Sequence, residues 1–129
     1  MTLDTRHKIV TPAHAIETAL DLRRRGTPVT VLIGLFDVLH AEAVQRVAAL
    51  PLHQGVLIVL VPEDPEAIVP LTARVELAAA LRGVDFVVPT GDTRALIDLL
   101  HAVRVVDYSQ DDRAARTSLI ANVRRKHGK

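Results

Sequence analysis

The chain has no cysteine and very few aromatic residues. The absence of cysteine among 129 residues excludes disulfide bonds and thiolate metal sites. Aromatic residues make up 2% of the chain, too few for the stacking platforms that hold single-stranded nucleic acid. The six histidines are scattered, with no H-x-x-x-H pair on one helix, so the sequence predicts no metal held by protein ligands.

Excess charge and long apolar runs are also missing. Lys and Arg number 16 against 15 Asp and Glu, so no overall field attracts a polyanion. No apolar run approaches membrane-spanning length, and the N-terminus lacks the apolar core of a signal peptide. We therefore expect a cytoplasmic protein that contacts neither membrane nor nucleic acid. The basic residues from Arg124 onward favour a helix C-terminus that meets its own dipole over a nucleic-acid contact.

What the chain does contain is a regular alternation of strand and helix patterns. Hydrophobic residues make up 49%, and the length suits one domain over residues 1–129. Strands are predicted at residues 29–33, 55–61, 85–88 and 103–106. Helices are predicted at residues 12–25, 40–50, 72–82, about 93–101, and from Asp111 or Asp112 onward.

This order predicts an α/β fold, a Rossmann-like three-layer α/β/α arrangement around a parallel sheet. The run at 55–61 should lie inside the sheet, because a nearly continuous apolar strand needs cover on both faces. Ligands of such folds bind past the carboxyl ends of the strands, at the point where the strand order reverses. The loop that begins at Gly34, directly after the first strand, is expected at that point.

Residues 34 to 43 read Gly-Leu-Phe-Asp-Val-Leu-His-Ala-Glu-Ala. They resemble the G-x-F-D-x-x-H-x-G-H signature of the cytidylyltransferase-like nucleotidyltransferases. Glu42 stands where that family has glycine, and Ala43 stands where it has the second histidine. The matching residues are Gly34, Phe36, Asp37 and His40.

The resemblance extends over most of the chain and is closest to the heptose 1-phosphate adenylyltransferase and glycerol-3-phosphate cytidylyltransferase branch. Residues 74–88 are similar to the family's R-A-E-x-L-A-A-L-x-x-V-D-Y-V-V segment, and residues 119–125 to its L-I-E-R-I-R-R helix. The resemblance implies a nucleotidyltransferase fold and transfer of AMP or CMP from ATP or CTP, with magnesium, to a phosphorylated sugar or polyol. It also implies a homodimer, for which we expect an interface above roughly 1,000 Å².

The resemblance also assigns site residues. His40 is the predicted catalytic residue, because its counterpart donates hydrogen bonds to phosphate. Thr117 and Ser118 correspond to the family's S-T-T motif at the start of the last helix, through the segment 115–118. The predicted nucleotide-binding residues are Gly34, Phe36, Asp37, His40, Arg74, Thr117 and Ser118.

Structural roles are the alternatives for several of these residues. Gly34 is also typical of a strand-end turn, and Arg74 of an exposed helix position. His40 is also an ordinary residue for a helix start, and for Asp37 a helix cap is the favoured alternative. Glu42 either faces a phosphate, where two charges about 4 Å apart repel by about 4 kcal/mol at a dielectric of about 20, or points to solvent.

The positions that carry chemistry depart from the family. Loss of the second histidine removes a donor of a kind that is typically worth about 10²–10³ in rate. The loop at 62–70 has three carboxylates and no lysine where the family has a lysine, and the K-G-x-D-Y segment survives only as residues 105–108. These departures favour a degenerate homologue, a pseudoenzyme that binds nucleotide or forms oligomers. The alternatives are an active nucleotidyltransferase that uses His40, Arg74 and hydroxyls near Thr117, and a small nucleic-acid-binding module.

Overall fold

Four parallel strands form the centre of the protein. A computed structural model describes residues 4–37, 40–50 and 55–127, with the backbone alone for His40 and His127. The strands are paired in the order β3-β2-β1-β4, all parallel. Their bounds are Val29–Ile33 (β1), Val56–Pro62 (β2), Phe86–Thr90 (β3) and Arg104–Asp107 (β4). The predicted parallel sheet, with the strand at 55–61 inside it, is confirmed.

Five α-helices accompany the strands: the first precedes β1, the next three connect consecutive strands, and the last follows β4. Thr11 Oγ1 accepts the N–H of His14 at 3.1 Å, and Asp92 Oδ1 accepts that of Ala95 at 3.0 Å, so two helices begin at side-chain caps. A short 3₁₀ turn at Arg6–Lys8, which the sequence pattern did not predict, precedes the first helix. The α-helices are Pro12–Arg24 (α1), His40–Ala48 (α2), Leu71–Ala79 (α3), Thr93–Leu100 (α4) and Ser109–His127 (α5).

The last helix begins earlier than the sequence predicts. Asp107 Oδ1 accepts the N–H of Ser109 at 2.8 Å and its hydroxyl at 2.6 Å, so the chain turns from β4 directly into α5. The predicted start at Asp111 or Asp112 is therefore wrong by two or three residues. Likewise, α3 ends at Ala79, before the predicted stop near Gly83.

The core lies in two layers, one on each face of the sheet. On one face, the sheet packs against α2 and α3 through Val47, Val75, Ala78 and Ala79. On the other face, it packs against α1 and α4 through Ala15, Ala19, Leu96 and Leu100. Residues 57–62 of β2 are all buried because helices cover both of its sides. The predicted three-layer α/β/α arrangement is confirmed.

The strand order reverses between β1 and β4. The chain steps outward from β1 to β2 to β3, and then returns to place β4 on the opposite side of β1. The carboxyl ends of β1 and β4 meet there, and the N–H of Tyr108 donates to the carbonyl of Ile33 at 2.8 Å. The loop after β1 thus faces the start of α5 at the predicted position for a ligand. No helix in the described part of the chain has the length and apolar character needed to cross a bilayer.

Candidate functional site

The loop after β1 folds back on itself. Phe36 has a φ of 53°, a left-handed conformation that is strained for a bulky residue. Its ring lies over Gly34, where a Cβ atom would come within 2.9 Å of the ring carbon Cε2. Position 34 therefore needs glycine because the Phe36 ring approaches it so closely. Phe36 itself is 7% exposed and belongs to the core layer beneath the loop.

Asp37, the acidic residue of the signature, is held by internal donors. Its carboxylate accepts the N–H of Ile68 at 3.0 Å and that of Val69 at 2.7 Å. Arg116 Nη1 donates to the same carboxylate at 3.0 Å, and the side chain of Asp37 is only 3% exposed. The contacts point to the loop at 62–70 and to α5. These contacts do not describe a cap of the next helix, which was the favoured alternative for Asp37.

Arg116 joins three separate segments. Its side chain is 4% exposed, and Nη1 lies 3.0 Å from Asp37 Oδ2 and 2.9 Å from Asp64 Oδ2. Nη2 lies 3.8 Å from Glu66 Oε2. The cation that the loop at 62–70 lacks in its own sequence is thus supplied by α5.

The pKa values of the two acidic partners of Arg116, Asp37 and Asp64, are shifted in favour of the charged forms. Burial raises the pKa of Asp37 and of Asp64, but hydrogen bonds from backbone N–H groups and from Arg116 outweigh it and leave each pKa below its ordinary value. Burial lowers the pKa of Arg116. The carboxylates of Asp37 and Asp64 raise it by more than burial lowers it, so the pKa lies above the ordinary value for arginine. The cluster formed by Asp37, Asp64 and Arg116 is therefore ionised near neutral pH.

This cluster should make the protein sensitive to acid. A carboxyl whose folded-state pKa is depressed stabilises the fold above its unfolded pKa, about 3.9 for Asp, and loses that contribution as pH falls through the folded value. We expect the free energy of unfolding to fall below about pH 4. In denaturant titrations from pH 7 to pH 2, the difference between the wild type and D37N/D64N should shrink steadily, because acid removes the charges that the variant already lacks. A difference that stays constant over this range would contradict the assignment.

Arg74 is buried, with 1% of its surface exposed. Its Nε donates to the carbonyl of Val69 at 3.0 Å, and Nη1 donates to the carbonyls of Leu35 and Pro62 at 3.2 and 3.0 Å. Burial lowers its pKa below the ordinary value for arginine. The exposed-helix alternative is therefore wrong. Phosphate binding by Arg74 stays a prediction. Its Nε and Nη1 already donate to the two loops that follow β1 and β2.

A small pocket opens between the loop after β1, α2 and α5. Its volume is about 20 Å³. The described residues that line it are Leu32, Gly34, Phe36, Asp37, Ala43, Arg46 and Asp112. A space of that size holds about one water molecule, whereas ligand pockets usually measure about 300–1,000 Å³.

A carboxylate of the protein itself takes the anion position in this pocket. Asp112 Oδ2 accepts the N–H of Leu35 at 2.9 Å, and Oδ1 pairs with the guanidinium of Arg46. That guanidinium lies 4.2 Å from the centre of the Tyr108 ring, which supports it from behind. A loop N–H and a guanidinium are the donors that a phosphate group needs. Here, Asp112 engages both.

Glu42 is largely exposed, and its recorded partner lines the pocket. Its side chain is 54% exposed, and Oε2 lies 3.4 Å from Arg46 Nη2, one turn along α2. The exposure favours the solvent-facing alternative, and the position of Glu42 relative to a bound phosphate stays a prediction. Ala43, by contrast, is 8% exposed and lines the pocket.

Comparison with known proteins agrees with the motif and the sheet. No protein-family profile matches the chain. The bifunctional protein HldE of Edwardsiella ictaluri (strain 93-146) is 33% identical over 134 aligned residues, which cover 92% of the chain. This likeness supports the resemblance to the cytidylyltransferase-like nucleotidyltransferase family. The chain spans 28% of the length of this relative, so the likeness supports a nucleotidyltransferase-like function for the chain and leaves the activities of the whole relative aside.

The remaining residues that the family motifs pointed to lie elsewhere. Thr117 and Ser118 are exposed in the third turn of α5, and Thr117 Oγ1 donates to the carbonyl of Arg113 at 3.0 Å. Their alignment with the start of the last helix is wrong, because α5 begins at Ser109. Neither is among the described residues that line the pocket. The backbone of His40 begins α2, and its side chain lies outside the described part of the chain, so its catalytic role stays a prediction.

Four charged residues of the site were missed by the family motifs. They are Arg46, Asp64, Asp112 and Arg116. One signal was available in the sequence: a loop with three carboxylates and no cation must find its counter-charge elsewhere if it packs against the protein. The spacing of four residues between Asp112 and Arg116 also places both on one face of α5.

Proposed function

We propose that this chain is a degenerate nucleotidyltransferase homologue, weakly active or inactive, which serves as an oligomer-forming partner. The observation that carries the proposal is the contact of Asp112 with both the Leu35 N–H and Arg46. Two donors of the kind that a phosphate needs are thereby engaged by a carboxylate of the same chain.

The chemistry of the family explains why this contact opposes transfer. Attack on the α-phosphorus of a triphosphate spreads charge over equatorial oxygens, and the rate depends on fixed donors placed around them. A carboxylate about 4 Å from a phosphate oxygen repels it by about 4 kcal/mol at an effective dielectric of about 20. The engaged donors and the volume of about 20 Å³ at the described residues support a pocket that does not accept a magnesium nucleotide.

The retained motif residues also support the proposal. Asp37 is satisfied by two backbone N–H groups and Arg116, and Arg74 by three carbonyls. Both side chains thus have structural roles that explain their presence without a substrate. A fold can keep such residues after its chemistry has gone.

Pyrophosphate release from ATP or CTP, with magnesium and a sugar phosphate or glycerol phosphate, should stay near background. The reason is the combined loss of the second histidine and of free donors at the pocket. A coupled pyrophosphate assay measures it, with an active member of the family as the positive control under the same conditions. Turnover at about 1 s⁻¹, within the ordinary enzyme range, would contradict the proposal and favour an active nucleotidyltransferase.

A thermal-shift titration with ATP and CTP, each with magnesium, separates an oligomer-forming partner from a nucleotide-binding one. A ligand at 100 times its Kd stabilises the folded state by about 2.7 kcal/mol. We expect no such stabilisation at millimolar nucleotide. A clear rise in Tm without pyrophosphate release would instead support a nucleotide-binding partner.

A further inference from the structure

The second half of α5 extends beyond the body of the protein. The helix has 19 residues, a length of about 28 Å. Its side chains reach the body through Asp112 and Arg116, which lie in its first half. Among residues 117–126 only Ile120 is partly buried, and the others are exposed. The hydrogen bonds recorded for side chains in this stretch stay within the helix.

This exposed half carries an apolar stripe. The stripe lies on the same helical face by which Arg116, earlier in α5, packs against the body of the protein. Residues three, four and seven positions apart share one helical face, so Leu119, Ile120 and Val123 continue the face of Arg116. Leu119 is 40% exposed and Val123 is 51% exposed. An isolated helical segment of about ten residues is only marginally stable in water. A covering surface would therefore stabilise this half of the helix.

The charges beside the stripe match a surface on the same chain. Arg124 and Lys126 flank the stripe, one on each side, by helical periodicity. The loop at 62–70 presents two exposed carboxylates, Glu63 and Glu66, and Glu63 lines an open groove of about 450 Å³. The side chain of Glu66 is 84% exposed.

We propose that residues 117–126 of α5 form the interface of a twofold-symmetric homodimer, in which the two helices pair antiparallel. Arg116 and Lys126 are ten residues apart, about 15 Å along the helix. A twofold axis near Ile120 therefore brings the basic end of one α5 next to the acidic loop of the partner, which lies against Arg116. The apolar stripes meet at the axis, as an isologous interface requires. A second copy is the occupant because both halves of the complementary surface lie on one chain. The inference rests on the oligomer-forming role proposed above.

Light scattering coupled to size exclusion tests the proposal. The wild type should have twice the mass of the 14.1 kDa chain at micromolar concentration. L119E/V123E should be monomeric and still folded, with the circular dichroism of a folded α/β protein, because both side chains are exposed within one chain. Its Tm should fall modestly, since it loses the stabilisation that the partner subunit supplies. The matched control is L99E, which changes a 54%-exposed leucine on α4 and should stay dimeric.

A charge exchange tests the orientation of the helices. R124E/K126E and E66K should each weaken the dimer by at least tenfold, and the combination should recover most of that loss. A wild type that is monomeric at high micromolar concentration would overturn the proposal, as would an L119E/V123E variant that stays dimeric. Failure here leaves the pyrophosphate assay unaffected, so the loss of transfer activity and the mode of association are judged separately.

Discussion

Replacing Arg116 with methionine should lower the free energy of unfolding by about 3–5 kcal/mol. The substitution keeps the length of the side chain but leaves the carboxylates of Asp37 and Asp64, 3% and 6% exposed, without their shared cation. Domains of this kind are stable by only about 5–15 kcal/mol in total. The loss is therefore a large part of the stability of the fold.

Denaturant titration at pH 7 measures this loss, and two variants control it. R113M changes a neighbouring arginine that is 44% exposed and 3.9 Å from Asp64, so it should cost no more than about 1 kcal/mol. R116M/D37N/D64N should be more stable than R116M, because no buried charge is left unpaired. If R116M unfolds within 1 kcal/mol of the wild type, Arg116 does not hold the three segments together.

The sheet and most helix starts were predictable because their signals are local. The run at 29–33 is β-branched and becomes β1 without a shift, and Thr11 and Asp92 cap the helices that follow them. Each signal needs only a few neighbouring residues. The start of α5 was missed because Asp107, the residue that turns the chain into the helix, also belongs to the strand before it.

The site was less predictable because its contacts are distant in sequence. Asp37 and Arg116 are 79 residues apart, and Leu35 and Asp112 are 77 apart. A motif identifies Asp37 but gives no sign of which side chain will neutralise it. Arg74 shows the same limit, since its burial depends on where the carbonyls of Leu35, Pro62 and Val69 point, and no sequence pattern records that direction.

Restoring the signature through E42G and A43H should leave nucleotidyl transfer close to background. If the motif were the only defect, the rate should rise by about 10²–10³, the usual worth of one recovered donor. However, position 43 is 8% exposed and faces a pocket of about 20 Å³, so a histidine there overpacks the site, at about 1–3 kcal/mol. Asp112 still holds the Leu35 N–H in this variant.

Adding D112N to the repaired signature should free the pocket for an anion without producing an enzyme. The amide keeps the shape of Asp112 and removes its charge, so Arg46 loses its partly buried anionic partner. Pyrophosphate and ATP should then bind at least tenfold more tightly in calorimetric titrations. D111N, at the exposed neighbouring position, is the control and should change neither affinity. Transfer should still be near background, since groups that act as a unit are strongly non-additive and the loop at 62–70 offers an acceptor phosphate three carboxylates and no cation of its own. Brisk turnover by either repaired variant would mean that the missing lysine loop is dispensable, and that two or three substitutions separate this chain from an active nucleotidyltransferase.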